Sequence, residues 1–287
     1  MPKVSIIIPT FNRAAYLKKA IESIFLQDYT DYEIIVTDNS STDNTEEVIK
    51  SFHDDRIVYQ RNDENVGITN NHNIALKLCK GEYIHIFSDD DIMLQGCIRK
   101  KVAVLDSFPT VGVVHSDIKI IGSDDEVISE THWAQLAWKH WSDVHKADKL
   151  FKGKKYHRLL YKIHNLIGLP SAMIRRSVID KIGYFDPSFV YILDWDFWLR
   201  LTLFYDVYYI KDKLILFRSH QLSTTSKVSS LLFTERRKMK AKLIQSFPND
   251  AFMKDYKYIE FLQKAMYYSD YSIYRIFKII LKKILYI

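Results

Sequence analysis

Val4 to Ile8 is a β-branched run closed by Pro9, and from Ala14 to Gln27 the residues Leu17, Ile21, Ile24 and Phe25 recur at helical spacing. The chain therefore opens as strand, turn, helix. The pattern then repeats. Glu33 to Thr37 reads as a buried strand, and Asp43, with Glu46 three residues on, opens a helix to about Phe52 in the manner of a capping box. Arg56 to Gln60 reads as a strand, Ile68 to Leu78 as a helix and Tyr83 to Phe87 as a strand. Such alternation with wholly apolar strands predicts an α/β domain, a parallel sheet covered on both faces by helices. Beyond about residue 105 the regularity weakens. Strands are predicted at Val111 to His115, Ser171 to Ile174, Val207 to Ile210 and Leu214 to Phe217, with helices at Arg176 to Ile182 and Leu193 to Phe204. Residues 231–287 read as almost entirely helical, with Pro248 as the one obvious break. The expected organisation is an α/β domain over 1–225, with halves 1–105 and 106–225, and a helical C-terminal extension over 226–287.

Composition narrows the class of protein. Of 287 residues, 47% are hydrophobic and 26% charged, a globular balance that excludes disorder. The net charge of +6 is too mild to indicate a nucleic-acid partner, and none is expected. It is also local: residues 139–162 carry +6 and the last 17 residues +4, leaving −4 for the remainder. Two cysteines, Cys79 and Cys97, form no CxxC pair, so neither a disulfide framework nor a zinc site is indicated and a reducing cytosol is the default location. The N-terminal apolar stretch is too short for a signal peptide, and no apolar run approaches the ~20 residues needed to span a bilayer.

Ligands of open α/β sheets bind beyond the carboxyl ends of the strands. Those ends carry Pro9-Thr10-Phe11-Asn12-Arg13, Asp38-Asn39-Ser40-Ser41 and Ser88-Asp89-Asp90-Asp91. Three adjacent carboxylates repel one another unless they are solvated or gather around a cation. Alternatively, they open a helix before Met93, where the helix dipole favours them. There is no GxxxxGKS/T, no GxGxxG, and only eight glycines, so backbone cradling of phosphates is poorly supported. A divalent cation, Mg²⁺ or Mn²⁺, held by aspartate and bridging two phosphates would neutralise a nucleotide diphosphate instead.

The segments VSIIIPTFNR, EIIVTDNSSTDNT, NVGITNNHNIAL, GEYIHIFSDDD, RRSVIDKIGYFDPSF and DWDFWLRL resemble, in order and spacing, the family 2 glycosyltransferases of the GT-A fold over residues 2 to 225. The resemblance implies a Rossmann-like, mainly parallel sheet flanked by helices. It implies that Pro9 and Thr10, with Phe11 beside them, line the nucleotide pocket, that Asp38 reads the base, and that Asn65 and Gly67 contact the nucleotide. Asn73 is expected to cap or pack within its helix, and Arg13 either meets a phosphate or is a solvated surface arginine. Ser88 departs from the family's usual aspartate, so the cluster is assigned with Asp90 as metal ligand and Asp89 or Asp91 contacting the ribose or supporting the metal shell. The resemblance places His220 against the metal or diphosphate, with a purely structural histidine as the alternative.

Inverting transfer needs a base on the face opposite the leaving diphosphate. Asp194 and Asp196 are the candidates, and the resemblance gives Asp194 the role of base with Asp196 in support. Residues two apart on a helix point in different directions, so both cannot face one site equally. Trp195, Phe197 and Trp198 read as core, with an aromatic face stacking on an acceptor sugar as the alternative. The basic stretch with Trp133, Trp138 and Trp141, running to Lys162, reads either as a solvated face or as a surface for a lipid-linked acceptor or anionic headgroups.

The resulting expectation is an inverting, metal-dependent enzyme that moves a sugar from a nucleotide diphosphate sugar to a hydroxyl of a growing glycan, for bacterial surface polysaccharide or a lipid-linked oligosaccharide. The alternatives are a catalytically silent nucleotide-sugar-binding partner and a nucleotidyltransferase. The missing glycine-rich phosphate loop opposes the latter. In Tyr271 to Ile287, Arg275, Lys278 and Lys282 share one helical face, with Ile273, Ile276, Phe277, Ile280 and Ile284 largely opposite. Either this tail makes a peripheral contact with the inner face of the cell membrane, or its apolar face packs on the catalytic domain or on a second subunit of a homodimer.

Overall fold

Strand β1 (Val4–Thr10) lies at the centre of the first half because its side chains are apolar on both faces, as a strand covered from both sides requires. The computed structural model describes residues 1–130, 145–162, 165–220 and 230–246. It divides into two units, Met1–Val228 and Ser229–Ile287. In the second, the described element is one helix, α8 (Ser230–Ser246). The tail from Tyr271 to Ile287 and the tryptophans 133, 138 and 141 lie outside the described residues.

In the first unit, β1 is paired in parallel with β2 (Tyr32–Asp38) and β4 (Tyr83–Ile86), and β2 with β3 (Ile57–Arg61). Helices α1 (Ala14–Phe25), α2 (Thr45–Ser51) and α3 (Ile68–Leu78) connect them. Leu17, Ala20, Ile21 and Ile24 bury the apolar stripe of α1 in the same core as Ile6, Ile8, Ile34 and Val36. At about 25 cal/mol per Å² of apolar area, such side chains each contribute roughly 1.5–3 kcal/mol. The capping box expected at α2 does not form. Asp43 accepts from the backbone N–H groups of Ala14 and Thr45, while Glu46 pairs with Lys50 at 2.6 Å.

The second half adds β5 (Ile92–Met93), α4 (Cys97–Ser107), β6 (Val111–Ile121), β7 (Val127–Ser129), β8 (Lys149–Phe151), α5 (Gly153–Lys162), β9 (Ala172–Arg175), α6 (Ser177–Ile182), α7 (Leu193–Thr202) and β10 (Asp206–Arg218). The sheet order is β3-β2-β1-β4-β9-β6-β10-β5, with β7 on β6 and β8 on β10. The long pairings are parallel, β6 with β10 included, and β9 is inserted antiparallel between β4 and β6. The two strands expected at 207–210 and 214–217 are one strand. Lys211-Asp212-Lys213 breaks the apolar pattern, but the backbone continues through it with register shifts. No helix begins directly after the aspartates: β5 follows them and α4 starts at Cys97, so the helix dipole does not account for the acidic cluster. Among the described residues no helix is long and apolar enough to cross a membrane.

Candidate active site

The loops after β1 and β2 are fastened to each other. Asn12 donates its N–H to Ser41 Oγ and accepts from Thr42 N–H. Asn12 and Ser40 both hold positive φ, 52° and 65°, a local cost that tight strand-end loops at binding sites carry. Asp38 is fully buried at the end of β2. Its Oδ1 accepts from Ser41 N–H at 2.9 Å and its Oδ2 from the Tyr59 hydroxyl at 2.7 Å. Beside it, Asn39 donates to Asn65 Oδ1 and accepts from Val66 N–H, which sets the loop that leads into α3. Gly67 sits there at φ 82° with open space where a Cβ would stand, so its backbone freedom is what the turn uses.

Asn73 does more than pack within its helix. Its amide donates to the carbonyl of Phe185 and its oxygen accepts from Phe185 N–H, while Thr69 donates to the carbonyl of Phe189. Helix α3 thus carries the loop that delivers α7 and Asp194.

The aspartates converge with groups from both halves of the chain. Asp89 Oδ2 accepts from Thr10 Oγ1 at 2.8 Å. Arg13 is not a solvated arginine: its Nη1 lies 3.0 Å from Asp89 Oδ1 and 2.8 Å from Asp90 Oδ2. His220 Nε2 reaches the same Asp90 Oδ2 at 3.0 Å, across 130 residues of sequence. Asp91 Oδ1 accepts from Arg218 N–H, and its buried Oδ2 has no hydrogen-bond partner. Burial first, and the neighbouring Asp90 next, push Asp89 up to about 6 and Asp91 well above the usual carboxylate range. Phe11 is exposed and Pro9 partly buried.

Arg218 is the functional residue that sequence reasoning missed. It is buried at the end of β10, where its Nε donates to the Asp90 carbonyl at 2.7 Å and its Nη1 to the carbonyls of Gly122 and Ser123. Its Nη2 pairs with Asp125 at 2.5 Å, and its guanidinium covers the Tyr16 ring, which also meets His220. It therefore fixes the aspartates and His220 in one frame.

At the first turn of α7, the half-buried Asp194 accepts from Asn165 Nδ2 at 2.6 Å and from Trp195 N–H at 2.8 Å. Burial raises its carboxyl to about 6 against the pull of those two donors. Asp196 is different. It is wholly buried and accepts from Arg200 Nε at 2.8 Å, while Arg200 donates to the carbonyls of Ile182 and Tyr184. It thereby steadies the arginine that ties α7 to the turn after α6, while its Oδ1 is buried with no hydrogen-bond partner, a setting unlike that of Asp194. Trp195, Phe197 and Trp198 are buried.

Asn165 gives a direct check on this environment. Asn165→Ala removes a donor to the Asp194 carboxylate and should raise its pKa, because a hydrogen bond to the charged form favours that form. The acid limb of the pH–kcat profile is expected to move to higher pH, with the loss greatest below about 6 and fading in alkali. An unmoved limb would show that Asn165 does not act on the group that titrates.

The family model for glycosyl transferase family 2 matches residues 5–183. The chain belongs to glycosyltransferase family 2. It is 30% identical over 226 residues to an uncharacterized glycosyltransferase of Rickettsia typhi, covering 78% of this chain and 66% of that protein, so it spans just under two thirds of that relative's length. It is 45% identical over 101 residues to the GalNAc(5)-diNAcBac-PP-undecaprenol β-1,3-glucosyltransferase of Campylobacter jejuni, covering 34% of this chain and 33% of that protein. Staphylococcus aureus TarS residues 1–349 in complex with UDP-GlcNAc superposes with TM-score 0.66 at 20% identity, covering 84% of this chain and 66% of the other. The Pyrobaculum calidifontis mannosyltransferase PcManGT in complex with GDP-Man and Mn²⁺ does so with TM-score 0.59 at 21% identity, covering 85% and 64%. These likenesses establish the GT-A fold.

Among the described residues no three His, Cys, Asp or Glu side chains form a ready-made cluster. The donor chemistry nonetheless suits a divalent cation: a carboxylate oxygen of Asp90 meets an imidazole nitrogen of His220, and Asp91 keeps an orphaned buried oxygen. Hard carboxylate oxygens beside a borderline imidazole nitrogen suit Mn²⁺, whereas Mg²⁺ would use the carboxylates alone.

Proposed function

We propose that this family 2 enzyme transfers a sugar from a nucleotide diphosphate sugar to a hydroxyl of a growing saccharide, with inversion at the anomeric carbon. The observation that carries this reading is the meeting of Asp90 and His220 at the strand ends of a GT-A sheet. Asp90, Asp91 and His220 would hold a divalent cation, which supplies charge neutralisation to the departing diphosphate. Asp38, Asn65 and Gly67 face the nucleoside, and Thr10 sets Asp89 toward the ribose. Asp194 accepts the proton of the acceptor hydroxyl as that oxygen bonds to the anomeric carbon and the bond to the diphosphate oxygen breaks. A carboxyl titrating near 6 is well placed for this, since it is ionised at neutral pH yet basic enough to take a proton.

The Campylobacter jejuni relative acts on an undecaprenol-diphosphate-linked saccharide, which favours a lipid-linked acceptor here. The working location is then the cytoplasmic face of the cell membrane.

Asp90→Asn tests the donor site. In the wild-type protein, Mn²⁺ together with a nucleotide diphosphate sugar is expected to raise the melting temperature, since ligands of the native state stabilise it by mass action. The variant should fold and lose most of that Mn²⁺-dependent shift. An equal shift in both proteins would remove Asp90 from the metal site.

A further inference from the structure

Two donors compete for one carboxylate oxygen. Arg13 Nη1 and His220 Nε2 both reach Asp90 Oδ2, at 2.8 and 3.0 Å, and the same Arg13 nitrogen also holds Asp89 Oδ1 at 3.0 Å. The Arg13 side chain is only 20% exposed and its partners less so, which places the pair where solvent screens weakly. Arg13 comes from the loop directly after β1, and that loop is fastened to the β2 loop through Asn12, Ser41 and Thr42. The guanidinium thus has a fixed base and a long, rotatable stem. It neutralises the buried carboxylates that the proposed cation would otherwise neutralise.

We propose that Arg13 is a built-in counter-ion that exchanges with the divalent cation: it holds Asp89 and Asp90 when the donor site is empty, and it is released onto the donor's diphosphate when the cation takes Asp90. This inference rests on the metal reading given above. Exchange couples the two ligands, because each cation bound at Asp90 frees a guanidinium for phosphate oxygens, which it suits as a planar fork of donors.

The test is Mn²⁺ affinity of the full chain without nucleotide, read from the electron paramagnetic resonance signal of free Mn²⁺. Affinity for a nucleoside diphosphate is then measured by calorimetry at saturating Mn²⁺. Arg13→Ala should tighten Mn²⁺ at least about fivefold, the lower range of typical coupling between two ligands, and weaken the nucleoside diphosphate by a similar factor. Arg13→Gln, which keeps bulk and loses charge, should act in the same direction and guards against a folding defect in the alanine variant. Asp90→Asn run alongside separates the two layers of the claim. If Asp90→Asn leaves Mn²⁺ binding intact, the metal reading falls and the exchange with it. If Asp90→Asn weakens Mn²⁺ while both Arg13 variants leave it unchanged or weaker, the exchange alone is overturned.

Discussion

Asp194→Asn is expected to lower kcat by about 10²- to 10⁴-fold near neutral pH, with the donor KM little changed. The amide keeps the size of the carboxyl but cannot take a proton. In the wild-type protein the rate should fall about tenfold per pH unit below about 6, because only the ionised form accepts the acceptor's proton and burial sets its midpoint there. The variant should lose that limb. The linkage sign runs opposite to that of a salt-bridged aspartate. A carboxyl raised above its unfolded value opposes folding in its ionised form, so removing the charge should leave the melting temperature at neutral pH equal or higher. Loss of turnover with a lower melting temperature would point to a structural role. Unimpaired turnover would exclude Asp194 as the base.

Arg218→Met should cost roughly 2–6 kcal/mol of stability, because two buried carbonyls, those of Asp90 and Gly122, lose their donor at about 1–3 kcal/mol each. The loss has a specific anatomy. The carbonyls of Asp90, Gly122 and Ser123 would lose their donor, and Asp125 its buried cation. Arg218→Lys should recover only part, since an ammonium on a flexible stem cannot reproduce the guanidinium's fork. Urea unfolding followed by circular dichroism measures both. A cost under about 1 kcal/mol for Arg218→Met would mean that the turn at 122–125 and the aspartates are held together by other contacts.

Much of the first half is legible in the sequence because periodicity there has one reading. Runs such as Val4–Ile8 and Glu33–Thr37 suit only a strand covered on both faces, and β1 and β2 are those strands extended by one or two residues. The second half is less legible for two physical reasons. Strands of two or three residues, β5, β7 and β8, are too short to show a period, and the Lys211-Asp212-Lys213 interruption mimics a turn inside β10. For the site, residue type and strand-end position single out the aspartates at 89–91, whereas Asp194, on the first turn of a helix, and His220 are marked by the resemblance to family 2 enzymes. Neither signal reveals partnership. Arg218 looks like a surface charge until the turn 122–125, nearly a hundred residues earlier, is seen to close over it. Asn165 likewise gives no sign of serving Asp194, which lies 29 residues on. Arg13 illustrates the converse: its type suggested a phosphate, while its position beside two buried aspartates gives it a counter-ion's role first.

The most direct test of the central claim is proton NMR of the reaction of an α-linked nucleotide diphosphate sugar with a polyprenyl-diphosphate-linked saccharide and Mn²⁺, following donor and product anomeric signals together. The account predicts one nucleoside diphosphate released per glycoside formed, a β-configured product, and both products formed at least about 10²-fold more slowly by Asp194→Asn although that variant still binds the donor. A product of retained configuration, or glycoside formed at the wild-type rate by Asp194→Asn, would contradict it.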